Sequence, residues 1–110
     1  MHIHYISEQN SILNHFLAQI RDVNIQKDSM RFRKNIERIG EIMAYELSKT
    51  LDYKEIDVQT PLGIKHTTTI AEPVVLCSIL RAGLALHQGF MSFFDNAENG
   101  FVSAYRHHYD

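Results

Sequence analysis

Two arginines are the residues of this chain best placed to do chemistry. Arg81 follows the apolar run Val74-Val75-Leu76-Cys77-Ser78-Ile79-Leu80, and Arg106 follows Phe101-Val102-Ser103-Ala104-Tyr105. Each carries a planar, permanently charged fork that suits phosphate or carboxylate. Ala82 and Gly83, directly after Arg81, leave room for a ligand, and the glycine permits a tight backbone turn beside it. Taken alone, Arg81 has two readings: an anion-binding group, or a strand cap that pairs with a carboxylate. Arginines at the ends of adjacent strands form a clamp for a polyanion, which favours the first.

Other reactive residue types offer less. Cys77 is the single cysteine, so no internal disulfide is available, and its place in an apolar run marks it as a packed core residue rather than a nucleophile. A lone cysteine without a signal peptide or a long apolar span points to a reducing, cytoplasmic setting. Of seven histidines, His2 and His4 sit on an N-terminal arm, His66 in a predicted hairpin, and His107 and His108 side by side in a loop near the anion site. None has zinc-ligand spacing, so no metal site is expected from them. Met43-Ala44-Tyr45-Glu46 reads as helix packing and surface, while Arg21 and Arg33 read as solvated helix charges or part of an effector or subunit surface. No acid–base dyad is needed to explain this stretch of chain. Eleven basic residues against thirteen acidic ones give a formal charge of −2, which leaves no overall field to draw nucleic acid or an anionic membrane.

The elements that must position the arginines follow from periodicity. The alternation His2-Ile3-His4-Tyr5-Ile6 suggests a short extended arm, with Ser7 capping what comes next. Ile12, Leu13, Phe16, Leu17 and Ile20 predict an amphipathic helix over residues 10–21, and residues 22–28 read as its polar exit loop. A longer helix over residues 29–51 places Phe32, Ile36, Ile39, Ile42, Met43 and Leu47 on one face, with Gly40 admitting a close packing contact. Ile56, Val58 and Thr60, then Pro61-Leu62-Gly63, then Ile64 and a threonine run predict a hairpin between residues 54 and 69.

Residues 74–80 predict a strand buried on both faces, the habit of α/β sheets. Leu84, Leu86, Phe90, Met91 and Phe94 predict the next helix, the acidic stretch 95–100 a solvated turn, and residues 101–105 another strand. Strand, helix and strand make one parallel, right-handed crossover unit. Such a unit brings Arg81 and Arg106 to the carboxyl edge of the sheet, where open α/β sheets bind ligands.

Several segments together resemble the amino-terminal half of the uracil phosphoribosyltransferases, which are type I phosphoribosyltransferases. They are Leu17-Ala18-Gln19-Ile20-Arg21-Asp22, Phe32-Arg33, Met43-Ala44-Tyr45-Glu46, Val58-Gln59-Thr60-Pro61-Leu62-Gly63, Ile79-Leu80-Arg81-Ala82-Gly83-Leu84 and Tyr105-Arg106, in family order across almost the whole chain. The resemblance implies an α/β fold: N-terminal helices, a β-hairpin and the start of a parallel sheet with a βαβ crossover. It divides the chain into an arm and helices (1–51), a hairpin (52–72) and a βαβ unit (73–110).

It also implies a transferase of pyrimidine salvage that condenses uracil with phosphoribosyl pyrophosphate to give UMP and pyrophosphate, with magnesium accompanying the pyrophosphate. By the same resemblance, Arg81, Ala82 and Gly83 form the loop that grips the donor's pyrophosphate, and Arg106 is a second donor-binding arginine. The helices and hairpin resemble the family's subunit-contact elements, so a homodimer or higher homo-oligomer is expected.

The family's acidic, glycine-rich loop for ribose 5-phosphate and its uracil-recognition segment have no counterpart here, and members are about twice as long. The chain therefore reads as the truncated amino-terminal portion of one domain, inactive alone, with base-selecting residues beyond Asp110. Alternative readings are a non-catalytic nucleotide-binding or regulatory relative of the same fold, and a helical self-association domain.

Overall fold

The computed structural model describes residues 1–107. Its elements are α1 (Ile12–Arg21), α2 (Ser29–Ser48), β1 (Tyr53–Thr60), β2 (Gly63–Ile70), β3 (Val75–Leu80), α3 (Leu84–Met91) and β4 (Glu98–Ser103), with 3-10 turns at Ile6–Glu8 and Ile25–Lys27.

The cap of α1 is Ser11, not Ser7. The Ser11 side chain accepts the Leu13 N–H at 3.1 Å and its backbone is extended, which starts the helix two residues later than expected. Ser7 lies inside the first 3-10 turn, and residues 1–5 pair with no strand. Asp28 caps α2 by accepting the Arg31 N–H at 3.1 Å. The helix closes at Ser48, three residues short of the expected end, because Thr50 and Leu51 donate to carbonyls only three residues back.

The inner stripe of α2 differs from the expected one. Asn35, Ile39, Gly40 and Ala44 are buried, whereas Phe32 and Leu47 are exposed and Ile36, Ile42 and Met43 are half-buried. Small residues select this face, because α3 crosses it at backbone distance. A Cβ on Gly40 would stand 2.6 Å from the Leu86 carbonyl oxygen, and one on Gly89 would stand 2.9 Å from both the Glu41 nitrogen and Gly40 Cα. The close contact expected at Gly40 is thus a glycine-on-glycine helix crossing. Against α1 the stripe is polar: Asn35, fully buried, donates to Gln19 at 2.7 Å and accepts from Arg38 at 3.0 Å.

The expected hairpin is present. β1 and β2 pair antiparallel from Tyr53↔Ile70 to Thr60↔Gly63 around the two-residue turn Pro61-Leu62, and Gly63, at φ +138°, takes the backbone conformation that glycine favours.

β3 and β4 pair in parallel from Val75↔Glu98 to Leu80↔Ser103, with α3 as the crossover. Three expectations are corrected here. β3 is covered on one face only: Leu76 and Ser78 are buried, while Val75 and Ile79 are 63% and 62% exposed. Cys77 shares the open face and is exposed rather than packed. β4 begins at Glu98, so half of the stretch read as a solvated turn is strand. Ladder bonds to β3 use backbone groups, and they recruit Glu98, Asn99 and Gly100 whatever their side chains prefer.

One core joins the three segments. Ala44, Leu76 and Phe94 are packed by Leu51, Ile70, Val74, Phe90, Met91 and Ala97, where the helices, the hairpin base and the βαβ unit meet. The hairpin projects from it, and the radius of gyration is 17.9 Å, against about 13 Å for a compact domain near this length.

Candidate functional site

The site is built by the turn that leaves β3. After Leu80, joined to Arg81 by a cis peptide, the chain folds back on itself. The Gly83 N–H donates to the Ile79 carbonyl at 2.9 Å, and Leu84 N–H donates to the Arg81 carbonyl at 3.2 Å. Gly83 has an ordinary φ of −77°, so space rather than conformation requires it. A Cβ there would meet Ser78 Oγ at 2.5 Å and the Ile79 oxygen at 2.7 Å. With Gly83 tucked against its own strand, Arg81 and Ala82 are left exposed to solvent.

Arg106 lies three residues beyond Ser103, the partner of Leu80 in the last rung of the ladder, and is also exposed. Both arginines therefore follow the carboxyl ends of adjacent parallel strands. Among the described residues neither has a carboxylate partner, since the ion pairs present are Arg31–Asp28, Lys34–Glu37, Lys49–Glu46 and His66–Asp57. An exposed guanidinium group suits a phosphate or a carboxylate through paired N–H donors.

The histidines divide. His66 pairs with Asp57 across the hairpin, His2 and His4 are on the exposed arm, His107 is exposed beside Arg106, and His108 lies outside the described residues. His87 went unnoticed in the sequence. It is buried on α3, and its Nε2 is 2.8 Å from Asn99 Oδ1 on β4, with the ring centroid 5.0 Å from that of Phe101. The available signal was one ring nitrogen donor amid Leu84, Leu86, Phe90 and Met91. Among the described residues no three His, Cys, Asp or Glu side chains gather as a metal-holding group. An open cleft of about 710 Å³ between the arm and α2, lined by Tyr5, Glu41, Tyr45 and Phe93 among others, contains neither arginine. No helix among the described residues is long and apolar enough to cross a membrane.

Comparison with known proteins adds the family. The profile described as "Uracil phosphoribosyltransferase" matches residues 6–110. A protein named uracil phosphoribosyltransferase from Porphyromonas gingivalis is 49% identical over 110 residues, covering 100% of this chain and 51% of its own length. Its namesake from Sulfolobus acidocaldarius is 42% identical over 98 residues, covering 86% of this chain and 44% of its own. Among solved structures, the AQ2163 protein from Aquifex aeolicus superposes with a TM-score of 0.72 at 28% identity, covering 84% of this chain and 44% of that one. The chain spans about half the length of the curated relatives it matches. The loop after β3 and the segments around it are accordingly those of a phosphoribosyltransferase-type α/β fold, and the chain belongs to the uracil phosphoribosyltransferase family.

Proposed function

We propose that this chain supplies the pyrophosphate-gripping part of a uracil phosphoribosyltransferase, which transfers phosphoribose from phosphoribosyl pyrophosphate to uracil and releases pyrophosphate. The observation that carries the reading is the pair of arginines, exposed and without carboxylate partners among the described residues, just past the ends of two paired parallel strands.

As the bond from ribose C1 to the leaving oxygen breaks, positive charge grows on the sugar and negative charge on pyrophosphate. Arg81 meets that negative charge with its guanidinium N–H donors, Ala82 leaves the approach open, Gly83 keeps the loop folded against β3, and Arg106 supplies a second cation. A donor placed where negative charge develops stabilises the transition state, and one such donor is worth about 3 kcal/mol. Magnesium, when it arrives with the donor substrate, adds charge neutralisation at the phosphates. The described residues of the loop are cationic or neutral and offer that ion no carboxylate cluster, so no ligand for it is assigned to this chain.

The 110 residues alone are expected to be inactive, and the working enzyme a cytoplasmic homodimer or higher homo-oligomer. The projecting hairpin and the long helix α2 offer surface for that assembly.

The test is Arg81→Ala in the protein encoded by the whole reading frame. Activity at saturating uracil should fall by about 100-fold, with weakened phosphoribosyl pyrophosphate binding. Parent-like kinetics for that variant and for Arg106→Ala would remove the pyrophosphate assignment.

A further inference from the structure

His87 links the first turn of α3 to the second residue of β4. Its backbone N–H donates to the Gly83 carbonyl at 2.9 Å, which ties it to the loop that carries Arg81. Its side chain meets Asn99 Oδ1 at 2.8 Å on β4, the strand that leads to Arg106. The Asn99 amide is oriented independently, because its Nδ2 donates to the Ala97 carbonyl at 3.2 Å. With Nδ2 so engaged, the oxygen must face His87, and an oxygen can only accept. His87 Nε2 is therefore the protonated nitrogen of this contact.

We propose that His87 is a positioning residue of the pyrophosphate site, holding the Arg81 loop and the Arg106 strand at a fixed separation through its Nε2–H bond to Asn99. The proposal rests on the reading that Arg81 and Arg106 grip pyrophosphate. The ladder fixes the register of β3 against β4 from Val75↔Glu98 to Leu80↔Ser103, and Arg81 and Arg106 both lie beyond its last rung. The imidazole adds a rigid strut from the first turn of α3 to the second residue of β4, buried and braced by Phe101. A clamp with two arms binds a dianion well only if the arms are preset, since each misplaced donor gives up its share of the bond.

The experiment is calorimetric titration of inorganic pyrophosphate into the protein encoded by the whole reading frame, as parent, Arg81→Ala, Arg106→Ala, His87→Leu, His87→Gln and Asn99→Ala, each with its thermal midpoint. Arg81→Ala and Arg106→Ala should weaken binding. His87→Leu and Asn99→Ala should each weaken it by about tenfold, and a further protein that combines His87→Leu with Asn99→Ala should bind no more weakly than either. His87→Gln, whose amide can still donate to Asn99, should regain most of the affinity. A fixed Nε2–H tautomer for His87 in nitrogen-15 spectra, lost in Asn99→Ala, is the accompanying signature.

If the arginine variants weaken binding while His87→Leu and Asn99→Ala lower only the thermal midpoint, the positioning role is overturned and the pyrophosphate site stands. If the arginine variants bind like the parent, the site reading and the positioning role fall together. Should His87→Leu not fold, Asn99→Ala decides alone, because Asn99 is exposed and its truncation leaves no cavity.

Discussion

Gly83 is confined to glycine by crowding. Its backbone angles are open to any residue, yet the first side-chain carbon would stand 2.5 Å from Ser78 Oγ. Gly83→Ala should therefore lose about 1–3 kcal/mol of stability and displace the loop that carries Arg81. Differential scanning calorimetry checks the first effect and a pyrophosphate titration the second. Unchanged values in both would mean that the loop accommodates a methyl group. Arg81 and Gly83 were legible as a pair because an apolar run ending in arginine and small residues is a strong local pattern. The steric partner of Gly83 was not, since Ser78 is polar and gives no hint that it lies beneath the turn. Asn35 and His87 were missed for a related reason. A hydropathy pattern counts polar residues as outward-facing, and each of these is buried because a neighbouring element supplies its hydrogen bond.

At the scale of elements, the crossing of α2 and α3 reverses an ordinary expectation. Alanine is the better helix former by about 1 kcal/mol, so an interior glycine usually invites replacement. Here Gly89→Ala should destabilise by about 1–3 kcal/mol, read as a lower urea midpoint, because its Cβ would enter the backbone of α2. A midpoint at or above the parent's would show that the helices can part without loss. All seven elements were foreseeable from period and punctuation, but their edges were not. Ser11 outcompeted Ser7 as a cap through backbone geometry, and β4 started at Glu98 through pairing with β3. The inner face of α2 departs from the stripe of its largest apolar residues because helix approach is limited by the smallest, Gly40 and Ala44.

At the scale of the whole molecule, one face of the β3–β4 pair is uncovered among the described residues, and Val75, Ile79 and Val102 stand on it with Cys77. Composition describes what a strand is suited to, and it marks residues 74–80 for burial on both faces, whereas the described residues cover one. Cys77 in the isolated 110-residue chain should thus react with a thiol reagent within minutes without denaturant. Protection comparable to that of a buried thiol would mean that this face is closed by self-association, and sedimentation would then show it.

The hairpin carries a different consequence. Its rungs link residues close in sequence, from Thr60↔Gly63 outward to Tyr53↔Ile70, so it can zip from its turn in about 1–10 μs without waiting for the rest of the chain. A lone two-stranded ribbon is marginal in water, and among the described residues it is anchored at its base, where Ala71 N–H donates to the Asp52 carbonyl and Asp52 N–H to the Glu72 carboxylate. The amides of β1 and β2 should accordingly form their own unit in hydrogen exchange, opening from the Leu62 tip while α2 and α3 remain protected. Exchange as slow at the tip as in α2 would show that the ribbon and the helices open only together.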